Sequence, residues 1–141
     1  MMGLLWVEDE QHILELDEVK EHWQVDTALA CDIAIAKVKE NKYELIIVDL
    51  ILPITMGERR HLKFEVHPAN EYEEKYGGLW LIRYIREELH VQTPIIVLTI
   101  VVGKDREPVE RVLNGKITEY LSKYDIMPED LCNRIGEILA K

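Results

Sequence analysis

Acids close two short apolar runs that lie far apart in this chain. Leu4–Val7 breaks into Glu8, Asp9 and Glu10, and Leu45–Val48 breaks into Asp49. A third run, Ile95–Leu98, ends in Thr99, and a last short one, Ile117–Ser122, is followed directly by Lys123. Continuous apolar runs rich in β-branched residues are the pattern of strands buried on both faces of a parallel sheet. A carboxylate is costly to bury, so an acid that closes such a strand is expected at its carboxyl end, where open α/β sheets place ligands. Facing carboxylates there resist joint ionisation unless a cation sits among them. Oxygen-only donors with no His or Cys nearby suit a hard ion, Mg²⁺ in particular, which takes one or two carboxylates plus waters and phosphate oxygens. A lysine and a hydroxyl beside them complete a cradle for a phosphoryl group.

These residues converge only if the intervening elements fold as required. The stretch Tyr43–Pro53 (YELIIVDLILP) supplies the central strand. Before it, Ile13, Leu16, Val19 and Trp23 recur at helical spacing, Gln24–Ala28 reads as a strand near an edge, and Asp32–Glu40 as an Ala-rich helix ending at Asn41. Ile54–Gly77 is highly charged, holds no helix of useful length and far exceeds the usual two to six residues of an α/β connection. Within it Leu62, Phe64 and Val66 alternate like a strand until Pro68 stops the run, and Tyr72 and Tyr76 stand one helical turn apart. An ordered flap is expected around Leu62–Val66 and mobility near Pro68–Glu74, with Arg59 and Arg60 read first as solvated arginines and second as leaning toward the acids or a phosphoryl group. Gly77–Gly78 reads as a flexible lead into a helix carrying Leu79, Ile82, Ile85 and Leu89. Pro94 introduces the strand that ends at Thr99. Asp105–Leu113 is a weaker helix that Asn114–Gly115 terminates, and Pro128 starts a final helix with Leu131, Ile135, Ile138 and Leu139 on its apolar face. Strand and helix alternate five times, which specifies a doubly wound parallel sheet with helices on both faces.

Composition narrows the partners. With 141 residues, 48% hydrophobic and 31% charged, the chain fits one globular domain, 1–141, and its net charge of −10 argues against general nucleic-acid binding. Cys31 and Cys132 share no short-spacing motif, so neither a zinc site nor a redox pair is indicated. The initial apolar run is too short for a signal peptide, and none approaches membrane-spanning length, so a cytoplasmic protein is expected.

Taken together, VEDE, VDLILP, VLT and YLSK resemble the receiver domains of two-component response regulators over nearly the whole chain outside the insert 54–77. The resemblance implies a flavodoxin-like sheet of order 2-1-3-4-5. It implies that Glu8, Asp9, Asp49 and the Ile51 backbone carbonyl hold Mg²⁺ and that Asp49 is the phospho-acceptor. Thr99 matches the switch hydroxyl, Lys123 the lysine that contacts the phosphoryl group, and Tyr120 the aromatic that moves on activation. The implied phosphodonor is a sensor histidine kinase or a histidine phosphotransfer protein. Since no DNA-binding segment follows Lys141, output to a downstream protein target is expected through the helix over Asp105–Leu113, the strand over Ile117–Ser122 and the final helix.

The sequence departs from the family pattern at three places. Ile100, followed by Val101 and Val102, stands where a small residue normally admits phosphodonor and water. Tyr124 replaces the proline that follows the family's lysine through a cis peptide. The insert adds roughly twenty residues to the loop after the acceptor. These departures keep a second reading open, a non-phosphorylated pseudo-receiver that acts as an interaction module. Turnover on external substrates is not expected: an Mg²⁺-dependent phosphohydrolase commonly carries a second carboxylate two residues after its nucleophile, and that position is Ile51.

Overall fold

The strands β1 (Gly3–Val7), β2 (Gln24–Ala28), β3 (Leu45–Val48), β4 (Ile95–Thr99) and β5 (Glu119–Ser122) form one five-stranded sheet among the described residues. The computed structural model describes residues 3–10, 14–54, 66–101 and 103–141. The order is β2-β1-β3-β4-β5 with every pairing parallel, as expected. Every residue of β3 and β4 is buried, which is why their sequences LIIV and IIVLT do not alternate. The edge strands β2 and β5 are half-exposed and more polar.

Two layers of helix cover the sheet. On one face α1 (Leu14–His22) and the last helix, α6 (Pro128–Leu139), pack Leu16, Val19, Leu131 and Ile135 onto Leu4, Trp6, Ile47 and Leu98. On the other, α2 (Cys31–Glu40), α4 (Gly77–Arg83) and α5 (Arg106–Leu113) cover Leu5, Val7, Ile46, Val48 and Val97. Ile13, Arg59, Arg60, Leu62, Phe64 and Val102 lie outside the described residues, so the ordered-flap expectation rests there on Val66 alone.

Four local expectations are corrected. The helix expected over Leu79–Leu89 begins at Gly77 and finishes as a π-helical turn, Tyr84–Glu88. The strand expected over Ile117–Ser122 starts at Glu119, although the Thr118 N–H already donates to the Ile95 carbonyl at 2.8 Å. Where mobility is expected between Pro68 and Glu74, a short helix, α3 (Glu71–Lys75), forms. Asn70 caps it, accepting from the Glu73 N–H at 2.9 Å, while Glu73 accepts from the Ala69 N–H at 2.8 Å. Glu73 is buried, and the Arg83 guanidinium grips both its oxygens at 2.7 and 2.9 Å. A polar, charged segment is therefore fixed by a cap and a bidentate ion pair rather than by an apolar face, which hydrophobic periodicity does not register.

The fourth correction concerns Gly77 and Gly78. Both lie inside α4, and neither has a positive φ. Small size is what matters: a Cβ on Gly78 would sit 2.4 Å from the Asp49 carbonyl oxygen and 2.6 Å from Leu50 Cα, and one on Gly77 2.3 Å from the Leu52 carbonyl oxygen. The first turn of α4 thus rests directly on the backbone after β3, and the Gly78 N–H donates to the Leu50 carbonyl at 3.0 Å. The first N–H groups of α2, at Cys31 and Asp32, donate to the carbonyls of Pro53 and Ile54 at 3.0 and 2.8 Å. Those bonds satisfy a helix start whose Ala30 cap has no side-chain acceptor. Residues 49–54 are held between two helices.

Candidate functional site

Adjacent strands deliver the four central side chains in a row. Glu8 follows β1, Asp49 follows β3, Thr99 ends β4 and Lys123 follows β5, so the order β1-β3-β4-β5 brings them side by side. Backbone bonds continue the ladder past the strand ends: Glu8 N–H to the Ala28 carbonyl at 2.9 Å, Asp49 N–H to Val7 at 3.0 Å, and Lys123 N–H to Thr99 at 2.9 Å. Glu8, Asp49 and Thr99 are buried, whereas Asp9 is exposed at the rim.

The Asp49 carboxylate accepts three bonds. Its Oδ1 receives the Thr99 hydroxyl at 2.8 Å and the Ile51 N–H at 3.1 Å, and its Oδ2 receives the Lys123 ammonium at 3.0 Å. Lys123 also donates to Glu8 Oε1. Glu8, Asp9 and Asp49 each offer an oxygen, all within 4.8 Å of one another. One ammonium faces two buried carboxyls, and the balance of charge follows from that count. Burial, then the hydrogen bond and negative field of Asp49, push the Glu8 carboxyl up to about 8, and Lys123 only partly opposes this. Burial works against the Lys123 ammonium, but Glu8 and Asp49 outweigh it and hold its pKa above the ordinary lysine value. The Glu8–Lys123 contact favours an ionised Glu8, but burial next to Asp49 is the larger effect and raises its pKa. This donor set of three carboxylates, one at the solvent rim, fits a hard divalent cation.

A pH dependence follows for the metal-free protein. Glu8 holds its proton to a higher pH folded than unfolded, so the folded state binds more protons between the ordinary value of 4.5 and about 8. Stability from this group is fully present at the acid end of that window and is lost as pH rises through it. Melting temperatures measured in chelator should fall across the window, and Glu8→Gln should flatten the fall. An identical slope in the variant would show that Glu8 is not the titrating group.

Tyr120 lies on β5 beside this row. Its hydroxyl donates to the Val101 carbonyl at 3.0 Å, and the Arg106 guanidinium stands 5.2 Å from its ring centroid. Burial pushes the phenol up to about 12, so it remains a donor. One side chain of β5 thereby joins the segment after Thr99 to α5. No cis peptide occurs among the described residues.

Two features of the site escape sequence patterns. The Tyr76 hydroxyl and the Lys75 ammonium both reach Asp105, at 2.5 and 2.7 Å, and so tie the insert to the start of α5. Leu29, Ile51, Ile100 and Tyr124 are exposed apolar residues, each standing just past the carboxyl end of a different strand, so an apolar rim surrounds the acids. Exposure is not visible in composition; position after a strand end is the only signal.

No family model matches the sequence. It is 31% identical over 102 residues to the response regulator ArlR of Staphylococcus haemolyticus (strain JCSC1435), covering 70% of this chain and 36% of that protein. The chain thus spans about a third of the length of this curated relative. Among solved structures, a CheY-like response regulator receiver domain protein from Methanospirillum hungatei JF-1 superposes with a TM-score of 0.70 at 20% identity, covering 99% of this chain and 94% of that one. The chain folds as a response-regulator receiver domain. A second receiver domain, of the Francisella response regulator 1452, superposes with a TM-score of 0.72 at 17% identity over 99% and 98% of the two chains. A two-component response regulator from Clostridium difficile gives 0.71 at 22% identity over 100% and 98%. The shared fold accounts for the strand order. Among the described residues, no helix is long and apolar enough to cross a membrane.

Proposed function

We propose that residues 1–141 act as one receiver unit, with 54–77 inserted between β3 and α4, which accepts a phosphoryl group on Asp49 from a partner phosphohistidine in an Mg²⁺-dependent reaction. The observation that carries this reading is the triple bonding of one buried carboxylate by a hydroxyl, an amide and an ammonium, beside two further carboxyls. Preorganised donors converging on one carboxylate suit a site that stabilises the charge of a moving phosphoryl group.

In this mechanism Asp49 attacks phosphorus; the P–O bond forms as the P–N bond to the partner's histidine breaks, giving an acyl phosphate. Glu8, Asp9, Asp49 and the Ile51 carbonyl would hold Mg²⁺, which supplies neutralising charge to the phosphoryl oxygens when bound. Thr99 and Lys123 already donate to Asp49, and short movements let both donate to the phosphoryl oxygens instead. Thr99 then draws on the segment whose Val101 carbonyl holds Tyr120, which shifts a two-state equilibrium toward the signalling form. The donor is a sensor histidine kinase or histidine phosphotransfer protein, and output goes to a protein target, in the cytoplasm. The apolar rim of Leu29, Ile51, Ile100 and Tyr124 supports docking of a protein rather than of a small phosphate ester.

Incubation with a small-molecule phosphodonor and Mg²⁺, read by intact mass, tests the reading: a gain of one phosphoryl mass that chelator prevents is expected. No gain under any condition would favour the pseudo-receiver. Ile100, exposed beside Thr99, narrows the approach to Asp49. Ile100→Ala should raise the rates of phosphorylation and of hydrolysis severalfold in the same assay, and unchanged rates would show that the rim does not limit access.

A further inference from the structure

Away from the acidic row, three side chains of different chemistry meet where α1 packs on α6. Glu18 and His22 are four residues apart on α1 and therefore share one face, and Cys132 projects from α6. A carboxylate oxygen of Glu18, an imidazole nitrogen of His22 and the Cys132 sulfur all lie within 4.8 Å of one another. His22 is exposed, Glu18 half-buried and Cys132 buried, so the cluster runs from the surface to a buried sulfur. The His22 ring stands edge-on to Trp23, with centroids 5.7 Å apart, which restrains the imidazole.

We propose that Glu18, His22 and Cys132 form a second cation site, selective for a borderline-soft dication such as Zn²⁺, which clamps the first helix to the last. Tetrahedral zinc takes thiolate sulfur at about 2.3 Å and imidazole or carboxylate donors at about 2.0–2.2 Å, distances that small rotamer changes reach from the observed cluster. Three protein ligands leave the fourth position to water. Mixed N, O and S donors distinguish this site from the oxygen-only row, which prefers Mg²⁺. Burial together with the negative field of Glu18 and Glu21 keeps Cys132 a thiol. As the sulfur–metal bond forms, the thiol proton leaves to solvent, and the dication relieves that same field. No short-spacing motif announces the site, because its ligands come from the two ends of the chain and meet only in the fold.

The test is a titration of Co²⁺, then Zn²⁺, into the full chain under a phosphine reductant with Mg²⁺ in large excess. One equivalent of Co²⁺ should bind with a thiolate-to-cobalt charge-transfer band that Zn²⁺ abolishes. Outer-shell partners of metal ligands are typically worth about 10–100-fold in affinity, so His22→Ala and Cys132→Ser should each weaken binding by more than about 100-fold. His22 is exposed, so its variant keeps the fold even if the buried Cys132 substitution does not. Cobalt binding without a sulfur band, or equal affinity in His22→Ala, would overturn the proposal. Neither outcome depends on whether Asp49 is phosphorylated.

Discussion

Asp49→Asn should end phosphoryl acceptance while leaving the protein folded. The amide keeps an oxygen where Thr99 and the Ile51 N–H now donate to Oδ1. It places an NH₂ where Oδ2 now accepts from Lys123, so one donor faces another, but Lys123 retains Glu8. An amide oxygen does not form a stable acyl phosphate, so no product is expected at any donor concentration. The variant also removes one of three clustered carboxylates, and its stabilisation by Mg²⁺ should shrink from the wild-type value, about 2.7 kcal/mol at a hundredfold excess over Kd. Intact mass and thermal melts with and without Mg²⁺ measure both. Labelling of the variant equal to that of the wild type would move the acceptor elsewhere.

The second large effect is expected at Gly78. In an ordinary helix interior, glycine to alanine stabilises by roughly 0.5–1 kcal/mol. Here the sign reverses, because the new Cβ would lie 2.4 Å from the Asp49 carbonyl oxygen and 2.6 Å from Leu50 Cα, backbone atoms that cannot rotate away. Overpacking costs about 1–3 kcal/mol when side chains can yield, so Gly78→Ala should destabilise by at least the upper part of that range. Relief requires α4 to withdraw from the backbone after β3, which breaks the Gly78 to Leu50 hydrogen bond and shifts Asp49. Phosphorylation should therefore slow as well. Chemical denaturation and the labelling assay test the two consequences, and a variant as stable as the wild type would refute the close contact.

The alternation of apolar runs with amphipathic helices made the sheet legible, since LIIV and IIVLT have no other stable home than between two helical layers. Glu8, Asp49, Thr99 and Lys123 were legible for the same reason: each stands at the end of such a run, and strand order alone sets them side by side. What stayed hidden depends on contacts without a period. Glu73 with Arg83 stabilises α3 through charge, and Asp105 with Tyr76 joins segments 29 residues apart. At Gly77 and Gly78 the sequence suggests backbone freedom, whereas the requirement is for an absent side chain, a distinction that only distances make. Cys132 and His22 illustrate the same limit at longer range.

The clamping of residues 49–54 between α2 and α4 bears on how such a chain can change over evolutionary time. The insert leaves the fold at Ile54, whose carbonyl is pinned by Asp32, and returns at Gly77, where a Cβ would touch the Ile54 side chain at 3.5 Å. Its two ends are therefore neighbours whatever lies between them. Closing a loop between fixed neighbours costs only about 0.6 kcal/mol more for each doubling of its length. The position works as a port: segments of different length and chemistry can be grafted between Ile54 and Gly77 without displacing Asp49, so the periphery can diversify while the acidic row stays in place.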